Sequence, residues 1–160
     1  MKKLMSMALL FAALPGLSCA ENMSGKLGLG LRSDSFDVRY FVSEHLGVHA
    51  GTALFYDKND KALDSNEYGF LGGAFYSKEI DDGIMFQTGM TVSYYTGNQS
   101  GVYYQEWDFN PFLGGEFIYK KRFGLDFKVI PVQYITFRKS GSDSNFWGGL
   151  FGSLGAHIYF

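Results

Sequence analysis

With 160 residues, 18 % of them aromatic and 19 % charged, and a formal charge of −2, the chain is one domain's worth of foldable polypeptide. It is not a disordered polyelectrolyte. Its only cationic run, Lys120-Lys121-Arg122, is too short for a nucleic-acid surface, so no nucleic-acid partner is expected.

Residues 1–20, MKKLMSMALLFAALPGLSCA, place Lys2 and Lys3 before an apolar stretch over 4–14, then Pro15-Gly16 and the small residues Ser18-Cys19-Ala20. This is the pattern of a bacterial secretory signal peptide, cleaved after Ala20 and set aside from fold reasoning. A helical anchor would need about 20 apolar residues. Cys19 stands with Leu17 one place too close for a lipoprotein signal. Cleavage removes Lys2 and Lys3, taking the formal charge from −2 to −4, and removes Cys19, the only cysteine. The exported domain, residues 21–160, is then held without disulfides.

No window after residue 20 has 18 apolar residues in a row, so helical spans are not expected. Period two recurs instead. Residues 24–32 set Leu27, Leu29 and Leu31 against Lys26, Gly28 and Gly30, and 35–42 set Phe36, Val38, Tyr40 and Val42 against Asp37, Arg39 and Phe41. The pattern continues over 46–56, more weakly over 68–77, then over 84–95, 109–119, 125–137 and 146–160, which makes eight predicted strands. Ile130 and Val132 blur the middle of the seventh.

The connections after strands two, four and six are short: SEHL, KEIDDG and KKRFG. Those after three, five and seven are longer and polar: DKNDKALDSNE, TGNQSGVYYQEW and KSGSDSN. Only the first, SD, breaks the alternation. Transmembrane barrels put short turns at the periplasmic end and long loops outside, and an even strand number returns both termini to the periplasm.

Alternation alone fits either a soluble barrel or a membrane barrel, and the less apolar face distinguishes them. A solvated face should be rich in Lys, Glu, Asp and Arg. Here that face is mostly Gly, Ser, Thr, Gln, His and Phe, which suits a narrow tube. Its charges balance: Lys26, Arg39 and Lys128 against Asp37, Glu116 and Asp126. Unpaired ions in an interior cost several kcal/mol each, so a paired network that plugs the lumen is expected. Strands of about 9 to 11 residues cross a bilayer, and eight of them enclose just enough room for side chains. Tyr40, Tyr56, Tyr68, Tyr76, Tyr94, Tyr119, Phe109, Phe137 and Phe146 fall near strand ends, where interfacial aromatics belong.

With its signal peptide, eight alternating strands and a last strand ending in Tyr159-Phe160, the chain resembles the small eight-stranded bacterial outer-membrane β-barrel proteins of the OmpX/OmpA type. The resemblance implies an all-β, eight-stranded antiparallel up-and-down transmembrane β-barrel in the outer membrane of a Gram-negative envelope. It also implies a terminal signal for the barrel-assembly machinery, formed by Leu154, Ala156, Ile158 and Phe160. The expected partners are outer-membrane lipid and lipopolysaccharide, with the assembly machinery during biogenesis, and the expected state is a monomer.

Some small outer-membrane barrels act on lipid A, and the deacylase kind resembles a His-x-Ser pair on its penultimate strands. The corresponding stretch here, VQYITF, has Gln133 and Ile135, which removes base and nucleophile together. His157 and Ser153 share a face four residues apart, about 13 Å along a strand at roughly 3.3 Å per residue. His49 is expected to pack inside, and His45 to sit solvated in a turn. Asp57, Asp60, Asp64 and Glu67 lack the spacing of a calcium loop. No catalytic set, cofactor site or metal site is therefore expected. Tyr103, Tyr104 and Trp107 are the candidate recognition residues of the third long loop, with an aromatic girdle in lipopolysaccharide as the plainer reading. The expected role is structural, or recognition through the extracellular loops by a plugged, non-conducting barrel. A lipid A-modifying enzyme, a small pore and a soluble periplasmic barrel remain the alternatives.

Overall fold

The computed structural model describes residues 23–33, 35–53, 66–99, 102–139 and 142–160. The expected signal segment 1–20, the boundary at 21, and Asp57, Asp60 and Asp64 lie outside the described residues. Ten β-segments are present: β1 (Leu27–Arg32), β2 (Ser35–Phe41), β3 (Leu46–Ala53), β4 (Asn66–Asp81), β5 (Ile84–Gln99), β6 (Val102–Tyr119), β7 (Phe123–Ile130), β8 (Gln133–Lys139), β9 (Ser142–Gly148) and β10 (Phe151–Tyr159). Among the described residues no helix is long and apolar enough to cross a membrane.

Every neighbouring pair is antiparallel, and β1 pairs with both β2 and β10. β5 pairs with β6, which in turn pairs with β7 in its second half and β8 in its first. β7 and β8 form one wall, and β9 and β10 form another, so the ten segments close an eight-stranded antiparallel barrel. The two interruptions lie side by side, at 131–132 and 149–150. Pro131 accounts for the first, because it has no N–H to donate to the ladder. This is the place where Ile130 and Val132 blurred the alternation.

Two predicted loops are strand instead. β5 runs to Gln99 and β6 starts at Val102, so most of TGNQSGVYYQEW is paired, with Thr96 opposite Gln105 and Gly97 opposite Tyr104. Likewise β8 reaches Lys139 and β9 begins at Ser142. Polar composition hid these strands, yet half-buried Thr, Tyr and Gln suit a pleated surface when they bond across it. Here Thr96 Oγ1 donates to Tyr103 Oη at 2.9 Å.

The walls are therefore unequal in height. β1 has 6 residues and β6 has 18. At the low end the turns are tight, as at Asp82-Gly83, where Gly83 adopts φ +70°. At the other end β4, β5, β6, β8 and β9 rise beyond β1 and β2.

Parity decides direction. Leu29, Leu31, Leu113, Leu125, Phe127, Leu154 and Ile158 are exposed on the outside of the barrel. Asp37, Arg39, Gln87, Glu116, Asp126 and His157 are buried inside it. Near the tight turns the interior holds the apolar side chains Met23, Phe41, Phe75, Met85, Ile118 and Tyr159, a cluster that continues upward to Phe112, with Phe41 edge-on to Phe75 at 5.3 Å.

Candidate functional site

Above the apolar cluster lies a layer of charge drawn from β1, β2, β6, β7 and β10. Arg39 is the hub. Its Nε donates to Asp37 Oδ2 at 3.2 Å, its Nη1 to Glu116 Oε2 at 3.3 Å and its Nη2 to Asp126 Oδ2 at 3.0 Å. Arg32 Nη1 donates to the other oxygen of Asp126 at 2.8 Å, and Arg32 Nη2 donates to Ser153 Oγ. Glu116 also accepts from Gln87 Nε2 at 2.7 Å and from Tyr159 Oη. His157 lies between carboxylates, with Nε2 2.9 Å from Asp37 Oδ1. Its Nδ1 is 2.9 Å from Asp126 Oδ2 but off the hydrogen-bonding direction.

The sheet brings these residues together because each occupies an inward position at one height: Asp126 opposes Glu116, Arg39 opposes Gly28, and His157 opposes Gly30. Glycine is required at two of those places. A methyl at Gly30 would collide with the His157 ring, and one at Gly28 would press on the Tyr159 ring. The row of inward glycines is thus the space into which the large polar side chains of neighbouring strands extend.

Of the six residues expected in the charge network, Asp37, Arg39, Glu116 and Asp126 meet in this layer. Lys128 is buried two residues further up β7, with Nζ 4.1 Å from the centroid of Phe112, and is in no ion pair with a described residue. Lys26 precedes β1, half-buried, and is not part of the layer. Arg32, Gln87 and Tyr159 belong to it and were not singled out from sequence, and His157, weighed from sequence only as a partner for Ser153, belongs to it too. Parity was the available signal for Arg32, which continues the inward row of Lys26, Gly28 and Gly30.

Glu116, Asp126 and His157 each bring one ligand-type atom within 4.8 Å of the others, the kind of set that could hold a metal ion. The Arg39 guanidinium already bonds both carboxylates, so a cation there would have to displace it. Ser153 and His157 are not brought together, since Ser153 Oγ is bonded to Arg32 and His157 faces the carboxylates. In the VQYITF stretch, where a deacylase pair would fall, Gln133 donates to Asp108 Oδ2 at 2.7 Å and Ile135 is buried. His49 is interior as expected, with Nε2 3.2 Å from Thr91 Oγ1 and its ring between Phe75 and Phe112. His45 lies in its turn with Nδ1 3.2 Å from the Ser77 carbonyl.

The recognition trio is placed differently from expectation. Tyr103, Tyr104 and Trp107 sit in β6 rather than in a loop, and alternation splits them between two faces. Trp107 faces outward beside Tyr94, 4.7 Å between ring centroids, and Tyr103 shares that face. Tyr104 faces the other way and stacks on Phe137 at 5.8 Å. The outward rings continue across the wall from Phe109 to Tyr134 and from Tyr134 to Trp147. In β10, Leu154, Ile158 and Phe160 are exposed on the outer face, with Ala156 half-buried between them. No protein-family model and no curated protein matches the chain.

Proposed function

We propose that the chain is a small outer-membrane β-barrel with a plugged, non-conducting lumen, which serves a structural or recognition role through its tall wall. One observation carries this reading: polarity is inverted, with aliphatic and aromatic side chains exposed around a closed barrel and the ions buried within it. In water such an outside would be a large sticky patch. In lipid it is the required surface, and closure leaves no unpaired edge in the hydrocarbon.

The remaining features support the same reading. The signal-peptide pattern of residues 1–20 would direct export. About 9 to 11 residues cross a bilayer, so an 18-residue β6 extends well past it. The outward rings Tyr94, Trp107, Tyr134 and Trp147 lie on this wall, where amphipathic aromatics would anchor in lipopolysaccharide headgroups. Inside, the Arg39 layer and the apolar cluster beneath it leave ions little open path.

Fractionation tests the proposal. The protein should stay with outer membranes until detergent is added, and its electrophoretic mobility should change on boiling. Release into the periplasmic extract without detergent would sink it. Steady single-channel conductance in planar bilayers would overturn the plugged lumen alone.

A further inference from the structure

Above the Arg39 layer, on the side of the β1–β2 connection, the barrel encloses a cavity of about 320 Å³ that opens away from the tight turns. That volume is at the lower edge of the range for small-molecule sites, roughly 300 to 1,000 Å³. The cavity is lined along one wall by Asp108, Asn110 and Phe112 of β6, with Lys128 of β7 and Gln133 of β8 beside them.

Its polar groups are incompletely matched among the described residues. Lys128 is buried with its ammonium over the Phe112 ring and is in no ion pair with a described residue. Asp108 and Asn110 are 3 % and 7 % exposed, and Asp108 Oδ1 and Asn110 Oδ1 have no hydrogen-bond partner among the described residues. Burying such groups without partners costs free energy, more for the ions than for the amide. A cation and two acceptors therefore face one opening.

We propose that this cavity binds a small carboxylate that also carries hydroxyl or ammonium donors, with its carboxylate on Lys128 and its donors on Asp108 and Asn110. A simple cation would meet Lys128 and Arg32, which both line the cavity. A simple anion such as phosphate would set acceptor oxygens against Asp108 and Asn110. An apolar molecule would satisfy none of the three. The cavity lies inside the closed barrel, whichever solvent meets the outer face.

The test is a titration of the full chain, folded in detergent micelles and labelled for NMR, with D-galacturonate and L-serine as probes. Galactose, with donors but no anion, and inorganic phosphate serve as comparisons. Saturable shifts at Lys128, Asp108 and Asn110 below about 10 mM are expected for one or both probes, with weaker responses to the comparisons. Lys128→Met should weaken binding at least about tenfold, the loss expected for one charge-assisted hydrogen bond. Should that variant not fold, Asn110→Leu removes one of the acceptors and should weaken binding too. No saturable shift with either probe, meaning a cavity that holds only water, would overturn the proposal. So would an equal response to galactose and phosphate, or undiminished binding by a folded variant.

Discussion

His157 Nε2 lies 2.9 Å from Asp37 Oδ1 although 120 positions separate the two residues. They face each other across β1, whose Gly30 opposes both, Asp37 on one side and His157 on the other. A strand with no side chain at that height lets its two neighbours touch over it. The same device recurs at Gly28, beside the ring of Tyr159. The interior polar layer thus depends on where the glycines fall as much as on where the charges fall.

Arg39 bonds three buried carboxylates, so Arg39→Met should destabilise the barrel by about 3–5 kcal/mol, the usual cost of leaving buried charge uncompensated. Urea unfolding in detergent micelles, followed by tryptophan fluorescence, would measure it. A loss below about 1 kcal/mol would mean the carboxylates find other partners or water.

Gly30→Val should disrupt the fold by forcing His157 out of its place, a cost of about 1–3 kcal/mol for overpacking or more if the ring cannot move. Gly149 provides the comparison, because a Cβ there meets nothing within 4 Å. Gly149→Ala should leave the unfolding midpoint unchanged. Equal effects of the two substitutions would remove the steric argument.

Leu113 faces outward from β6 opposite Thr88 and Val129, several residues above the tight turns. If that face meets lipid, Leu113→Arg should cost about 2–4 kcal/mol near the bilayer centre. On a water-facing surface the same change would fall within about 0.5 kcal/mol. Folding titrations in lipid vesicles separate the two values.

Phe160 and Leu27 hold the seam between the first and last strands. The Phe160 N–H donates to the Leu27 carbonyl at 2.9 Å while the Phe160 ring is 66 % exposed on the outer face. Phe160→Asp puts a charge on that apolar rim and should impair membrane assembly far more than Ser142→Ala on the opposite rim. The folded, heat-modifiable fraction recovered from membranes is the readout, and wild-type assembly of the Asp variant would deny Phe160 this role.

Arg138 and Asp143 form a hydrogen-bonded ion pair on the exposed β8–β9 hairpin, with Nε 2.6 Å from Oδ1. The Arg138 hydrogen bonds hold the Asp143 carboxyl below its ordinary value. Because the folded-state pKa is depressed, the pair's contribution is present above the unfolded-state value and is lost as pH falls through the folded-state one. Both side chains are more than half exposed, so Asp143→Asn should leave global unfolding unchanged. An NMR titration of the Asp143 carboxyl should still give a midpoint below that of an ordinary aspartate.

The sequence by itself determined the class of fold and the direction of its side chains. Period two is a local property, so Leu27, Leu29 and Leu31 on one face and Gly28 and Gly30 on the other can be read without knowing any partner strand. The same local reading placed Asp37, Arg39, Glu116 and Asp126 inside. It misjudged TGNQSGVYYQEW, because polar residues in a strand are stabilised by the strand opposite, which no local pattern reveals. Only the tertiary structure decided register, and register decided the rest. It set Arg32 rather than Lys26 against Asp126, gave His157 its carboxylates and left Lys128 facing a cavity instead of an anion. Those outcomes depend on which residues share a height on strands far apart in the chain, and that is fixed only when the barrel closes.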